Sequence, residues 1–176
     1  MISRKINAIT SLLATVLLLI HAISIAVWLL SNGAIAKAGS YISWILVGLM
    51  LTHAFISIDL GISAHSETEK RKCNSYPKLN IPTLFQRIGG ILLILFAGLH
   101  VAGTIGAMQP PKVVHAILPP LFFAIALMHA AISTGKAFIT LGIGNAKLVK
   151  IINVAMMVIC AATLVADVVG FYLYLC

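Results

Sequence analysis

Apolar residues in this chain gather into five long blocks, and the polar ones collect in the short gaps between them. The blocks cover residues 6–30, 41–65, 83–108, 113–136 and 148–175. A hydrocarbon layer about 30 Å thick is crossed by a helix of about 20 residues, and a helix satisfies every backbone N–H and C=O within its own segment. Each block is long enough. The pattern therefore predicts an all-α integral membrane protein of five transmembrane helices, forming a single domain over residues 1–176. The gaps hold residues that stop helices: Ser31-Asn32-Gly33, Ser75-Tyr76-Pro77, Gln109-Pro110-Pro111 and Gly142-Ile143-Gly144-Asn145. Pro119 and Pro120 fall inside the fourth block near its start. They are expected to kink that helix without ending it, because neighbouring helices satisfy the freed carbonyls.

Composition removes the main competing classes. The chain is 61% hydrophobic and 9% charged, with a mean hydropathy of +1.09; soluble domains are about 45–50% apolar and about 25% charged. A soluble enzyme and a disordered tail are excluded. The net charge of +8 would suggest nucleic acid in a soluble protein, but here the cations sit in the gaps. Arg4 and Lys5 precede the first block; Lys70, Arg71, Lys72 and Lys78 fill the second gap; Lys136, Lys147 and Lys150 flank the fourth. Lys37 and Lys112 stand alone in the other two. The positive-inside rule then predicts the N-terminus in the cytoplasm and the C-terminus outside, in a prokaryotic cytoplasmic membrane. The same cations offer a surface to an acidic cytoplasmic partner. The first block is too long for a secretory signal. Cys73, Cys160 and Cys176 form no C-x-x-C pair, so no zinc ribbon and no c-type haem attachment is encoded.

The chemistry lies in the histidines. His21, His53, His65, His100, His115 and His129 all fall in or at the ends of the blocks. An ionisable side chain inside a membrane is costly and therefore marks function; the plainer alternative is a neutral imidazole hydrogen-bonded between helices. Depth favours function. Odd-numbered helices run outward and even-numbered ones inward. At ~1.5 Å per residue, His21 and His100 each lie roughly 12–14 Å from the outer ends of their helices, while His53 and His129 lie roughly 18 and 10 Å from the inner ends. The four thus form two roughly level pairs, about 10 Å apart along the membrane normal. Two stacked b haems, each held by imidazoles from facing helices, need that arrangement, and bis-His ligation suits electron transfer. Pairing His115 with His129 against His53 with His65 fits less well, because 12 residues turn His65 about 120° off the His53 face.

The flanks agree with this reading. Small residues stand beside the ligands: Ala22 and Ala26 near His21, Ala97 and Gly98 near His100, Ala126 and Ala130 near His129. Small residues also serve ordinary membrane helix packing. Arg87 and Lys136 are candidates to meet the propionates of the inner haem, or are interfacial anchors. Two of the four acids lie within blocks, Asp59 and Asp167. Asp167 is the candidate proton acceptor for a quinone at the outer side, with a neutral, hydrogen-bonded carboxyl as the alternative. His65 and His115 are left as propionate partners or surface residues.

By these residues the chain resembles the five-helix, di-haem cytochrome b anchor of B-type succinate:quinone oxidoreductases and fumarate reductases, the complex II family. That family places one ligand histidine on each of its first four helices; His21 and His100 match its outer haem, His53 and His129 its inner one. Gln86-Arg87-Ile88-Gly89-Gly90 is similar to the Arg…Gly stretch that opens helix three. His129-Ala130-Ala131-Ile132-Ser133, followed by Ala137-Phe138-Ile139-Thr140-Leu141-Gly142-Ile143, is similar to the segment leaving helix four. The chain departs by being short, by carrying Ala130 where glycine is common, and by having no acid in residues 31–40, near the outer haem.

The resemblance implies two haem b groups. It also implies menaquinone, or another quinone, as substrate, and cytoplasmic flavoprotein and iron–sulfur subunits as partners. The membrane subunit would then pass electrons between quinone and those subunits, with possible higher oligomers of the complex. This chain has no flavin motif and no cysteine set for iron–sulfur clusters, so it performs no dicarboxylate chemistry itself. Two other classes remain: a di-haem anchor of a hydrogenase or formate dehydrogenase type, and a haem-free anchor or transporter. Internal repeats, the usual mark of a transporter, are not found.

Overall fold

The structure is a computed structural model that describes residues 2–31, 33, 40–70, 81–107, 112–143 and 145–175. The side chains of residues 2, 40, 41, 64–70, 81–84, 104, 112–116, 146, 174 and 175 stand outside that description, His65 and His115 among them. The chain is all-helical: α1 (Ile2–Leu30), α2 (Ser40–Lys70), α3 (Ile81–Thr104), α4 (Lys112–Leu141) and α5 (Ala146–Leu175). All five are long and apolar enough to cross a membrane.

Helix ends follow local chemistry more than the apolar boundary. α4 continues to Leu141, five residues past the expected edge, and stops at Gly142, which takes φ +75°. There Ile143 N–H returns to Phe138 O and Gly142 N–H to Ile139 O, both at 3.0 Å, the paired bonds that close a helix when the next residue turns left-handed. The Asn145 Oδ1 then accepts Leu148 N–H at 2.9 Å and caps α5. α2 likewise runs on to Lys70, whereas α3 ends at Thr104, before the expected 108. α4 passes unbroken through Pro119 and Pro120. Among the described residues every break expected from the gaps falls between helices.

Packing divides the helices into a core and two shoulders. α1 packs against α2, α4 and α5; α4 packs against α1, α3 and α5. In their most apolar windows α4 is 44% buried and α1 33%, but α3 only 11% and α2 only 6%. Lipid tails are as apolar as leucine, so helices associate here by close contact of small residues. Ala22, Ala26, Ala126, Ala130 and Ala131 are buried at the centre beside Leu18, Leu127 and Phe122. α5 comes so close to α1 that a Cβ on Gly170 would stand 2.9 Å from Leu29 Cβ, and on α4 a Cβ at Gly135 would run into the Asn153 carboxamide. Buried threonines spend their hydroxyls on their own helix, Thr134 on Ala130 O at 2.7 Å and Thr163 on Ile159 O at 2.9 Å.

Candidate functional site: two histidine chambers

Because α2 leans on α1 and α3 leans on α4, the two shoulders leave a cleft above the α1–α4 seam. The cleft holds two chambers at different levels. The near chamber lies toward the end that bears Arg4 and Lys136, the far chamber toward the opposite end.

The far chamber measures about 560 Å³, within the roughly 300–1,000 Å³ of ordinary ligand pockets. His21 of α1 and His100 of α3 both line it. Helical periodicity explains the wall: Leu18, His21, Ile25 and Trp28 recur at three- or four-residue steps and share one face of α1. The His21 Nδ1 lies 3.3 Å from the Ser43 hydroxyl of α2. The His100 ring stacks on Phe122 with centroids 5.2 Å apart and planes 24° from parallel. Asp167 enters from α5, one turn before Phe171. Its side chain is 4% exposed, and neither carboxyl oxygen has a partner. Trp28 and Trp44, the two tryptophans of the chain, complete the wall.

The near chamber is smaller, about 250 Å³, and polar. Arg4, Asn7 and Ser11 line it from α1, His53 from α2, Gln86 from α3, and Ser133, Lys136 and Thr140 from α4. Lys136 Nζ donates to Gln86 Oε1 at 2.6 Å, and Gln86 Nε2 donates to Ser133 Oγ at 3.1 Å. Ser57 Oγ donates to Asn7 Oδ1 at 3.2 Å. His129 lies against Gly89 and Gly90 of α3, where added Cβ atoms would stand 3.4 and 3.5 Å from its ring. His53 and His129 are close enough to interact electrostatically; the Asn7 backbone approaches the first ring and the Gln86 backbone the second. In both, Nδ1 is buried without a hydrogen-bond partner.

The structure thus brings His21 and His100 to one cavity and His53 beside His129 at the next level, the pairs expected from helix depth. Lys136 lines the near chamber. Arg87 does not: it is exposed and lines neither chamber. Arg4, exposed on α1, lines the near chamber instead, and Gln86, a single amide at the start of an apolar helix, is the residue that accepts from Lys136. Asp59 is exposed on α2. Among the described residues no three His, Cys, Asp or Glu side chains gather around one point as ligands for a bare ion; the imidazoles meet in pairs.

A haem suits this donor set. Paired imidazoles from facing helices are the donors that would hold a haem iron, and the haem would supply one-electron chemistry. The diglycine beside His129 leaves backbone, not side chain, against the ring. The far chamber has the room; the near one, at about 250 Å³, would have to widen.

No family model, no curated protein and no solved structure matches the chain. The function therefore rests on the residues and their geometry.

Proposed function

We propose that the chain is the di-haem cytochrome b membrane anchor of a succinate dehydrogenase or fumarate reductase. In that role it carries electrons between a membrane quinone, menaquinone in the first instance, and cytoplasmic iron–sulfur and flavoprotein subunits. One observation carries the reading: among the described residues, His21 of α1 and His100 of α3 line one cavity, and His53 of α2 lies close enough to His129 of α4 to interact with it at the next level. Haem b, when bound, supplies one-electron chemistry at its iron.

The chain's own residues do the rest. Three of the imidazoles meet a neighbouring helix: His21 the Ser43 hydroxyl of α2, His100 the Phe122 ring of α4, and His129 the Gly89–Gly90 segment of α3. Such outer contacts set ring orientation and tune a metal centre. Apolar and aromatic side chains wall the far level. Asp167 offers a carboxyl at the far level and is the group we assign to proton exchange with a quinone on that side of the membrane. The choice between complex II and an anchor of another oxidoreductase turns on the electron donor. In membranes that contain the protein, succinate should reduce its haem absorption bands and fumarate should reoxidise them. Reduction by formate or hydrogen, with no response to succinate, would move the chain to the second class.

A further inference from the structure

The seam between α1 and α2 carries two side-chain hydrogen bonds. Toward the near end Ser57 Oγ donates to Asn7 Oδ1 at 3.2 Å; toward the far end Ser43 Oγ lies 3.3 Å from His21 Nδ1. Ser43 and Ser57 are 14 residues apart on α2, and so are Asn7 and His21 on α1. That spacing is nearly four turns and returns to almost the same helix face. The two contacts therefore share one antiparallel register, and the first holds α2 where the second needs it. A serine or threonine inside a helix ordinarily spends its hydroxyl on a carbonyl of the preceding turn. Thr52 of α2 does so, on Gly48 O at 2.8 Å. Ser43 instead meets an imidazole of another helix, and it lines the far chamber with His21 and His100.

A neutral imidazole carries its proton on one ring nitrogen and accepts with the other. A ring that ligates a metal donates its remaining N–H to a nearby oxygen, which fixes the tautomer and the orientation and makes the ring a stronger donor to the metal. A serine oxygen fills that place with one of its two acceptor lone pairs. We infer that Ser43 is a positioning residue for His21: it accepts the Nδ1–H, keeps the proton on that nitrogen, and so makes Nε2 the ligand nitrogen of the far level. The purpose rests on the electron-transfer reading; the pairing itself rests on the contact. His53 and His129 have a buried Nδ1 without a partner, so the effect belongs to the far level.

The test is a redox titration of the full-length protein with its haems, read from the absorption bands. The far haem is the one that His100→Ala removes. Ser43→Ala should move its midpoint to higher potential, because a weaker imidazole donor stabilises ferric iron less, and should leave the other midpoint where it is. Retention of the far haem should fall about tenfold. Ser43→Thr keeps the hydroxyl and should restore the wild-type midpoint. Ser57→Ala removes the other tie of α2 and no partner of an imidazole, so the far midpoint should stay. An unmoved midpoint in Ser43→Ala, or an equal shift in Ser57→Ala, overturns the inference. If the far haem is missing from the variant or from the wild type, 15N NMR of labelled histidine decides, with His21→Gln assigning the signal. His21 should carry its proton on Nδ1 in wild type and shift it toward Nε2 in Ser43→Ala. A wild-type His21 protonated on Nε2 overturns the inference. Protein without haem that keeps the Nδ1–H form, and loses it in Ser43→Ala, would uphold the pairing and sink the electron-transfer reading.

Discussion

The far chamber is lined by two histidines, His21 and His100, and the near chamber by one, His53, with His129 of α4 close enough to interact with it; the two also differ in nearly everything around them. The far chamber is about 560 Å³, walled by apolar and aromatic side chains, with one buried carboxyl. The near chamber is about 250 Å³ and walled by cations, amides and hydroxyls. At the far level the imidazoles already have neighbours that hold them; at the near level His53 and His129 keep a buried, unpartnered Nδ1. The difference separates two ways of preparing a ligand site. One is open and preorganised. The other brings two imidazoles near each other with a buried, unpartnered Nδ1 on each.

The comparison breaks first at the histidines. His21→Ala and His100→Ala should each remove one and the same haem, and His53→Ala and His129→Ala the other. Redox titration with the haem spectrum reads this directly. Loss of a shared haem by a mixed pair, such as His21 and His129, would undo the two-level plan. Next is Asp167, the acid of the far chamber. Neither of its oxygens holds a partner, so Asp167→Asn should leave haem content and folding intact. Quinone-linked turnover should fall about 10²-fold, the scale of a lost proton-transfer group. Unchanged turnover would make the carboxyl a structural residue.

Smaller effects test the packing that keeps the chambers apart. Gly170→Ala drives a methyl toward Leu29 Cβ at 2.9 Å, and that atom moves only with α1. It should cost about 1–3 kcal/mol, visible as a lower midpoint of thermal unfolding in detergent. Gly48→Ala on α2 meets nothing within 4 Å and should leave the midpoint where it is; equal behaviour would contradict the core-and-shoulder division. Last, haem added back to stripped protein should fill the far level first. The near level should bind roughly tenfold more weakly, about 1.4 kcal/mol, because the chamber must widen to admit it. Equal affinities would mean the near chamber is as ready as the far one.

Much of this architecture was legible in the sequence because it depends on one-dimensional properties. Block length decided the number of helices. A rise of ~1.5 Å per residue was enough to level His21 with His100 and to bring His53 near His129. Asp167 stood out because an acid inside an apolar block is costly wherever it points. What was not legible depends on rotation and on neighbours. Arg87 and Gln86 are adjacent in sequence, and about 100° of helix turn separates the exposed one from the one that faces the chamber. Arg4 read as a topology signal, since a cation before the first block is expected there whatever its direction. Ser43 gave no sign at all: one hydroxyl among apolar neighbours becomes informative only when another helix places His21 beside it. Helix ends were misjudged by four or five residues at α2, α3 and α4, because hydrogen bonding continues past the apolar edge until a residue such as Gly142 turns the chain.

The central claim is that the four histidines hold two haems. The direct measurement is a pyridine haemochrome assay with a reduced-minus-oxidised spectrum, on protein purified gently enough to keep bound groups. The account predicts two haem b per chain. One haem would leave one of the paired levels as a packing accident. Protein that carries none, isolated together with whatever partners it has, would contradict the electron-transfer function and return the histidines to structural or proton-handling roles.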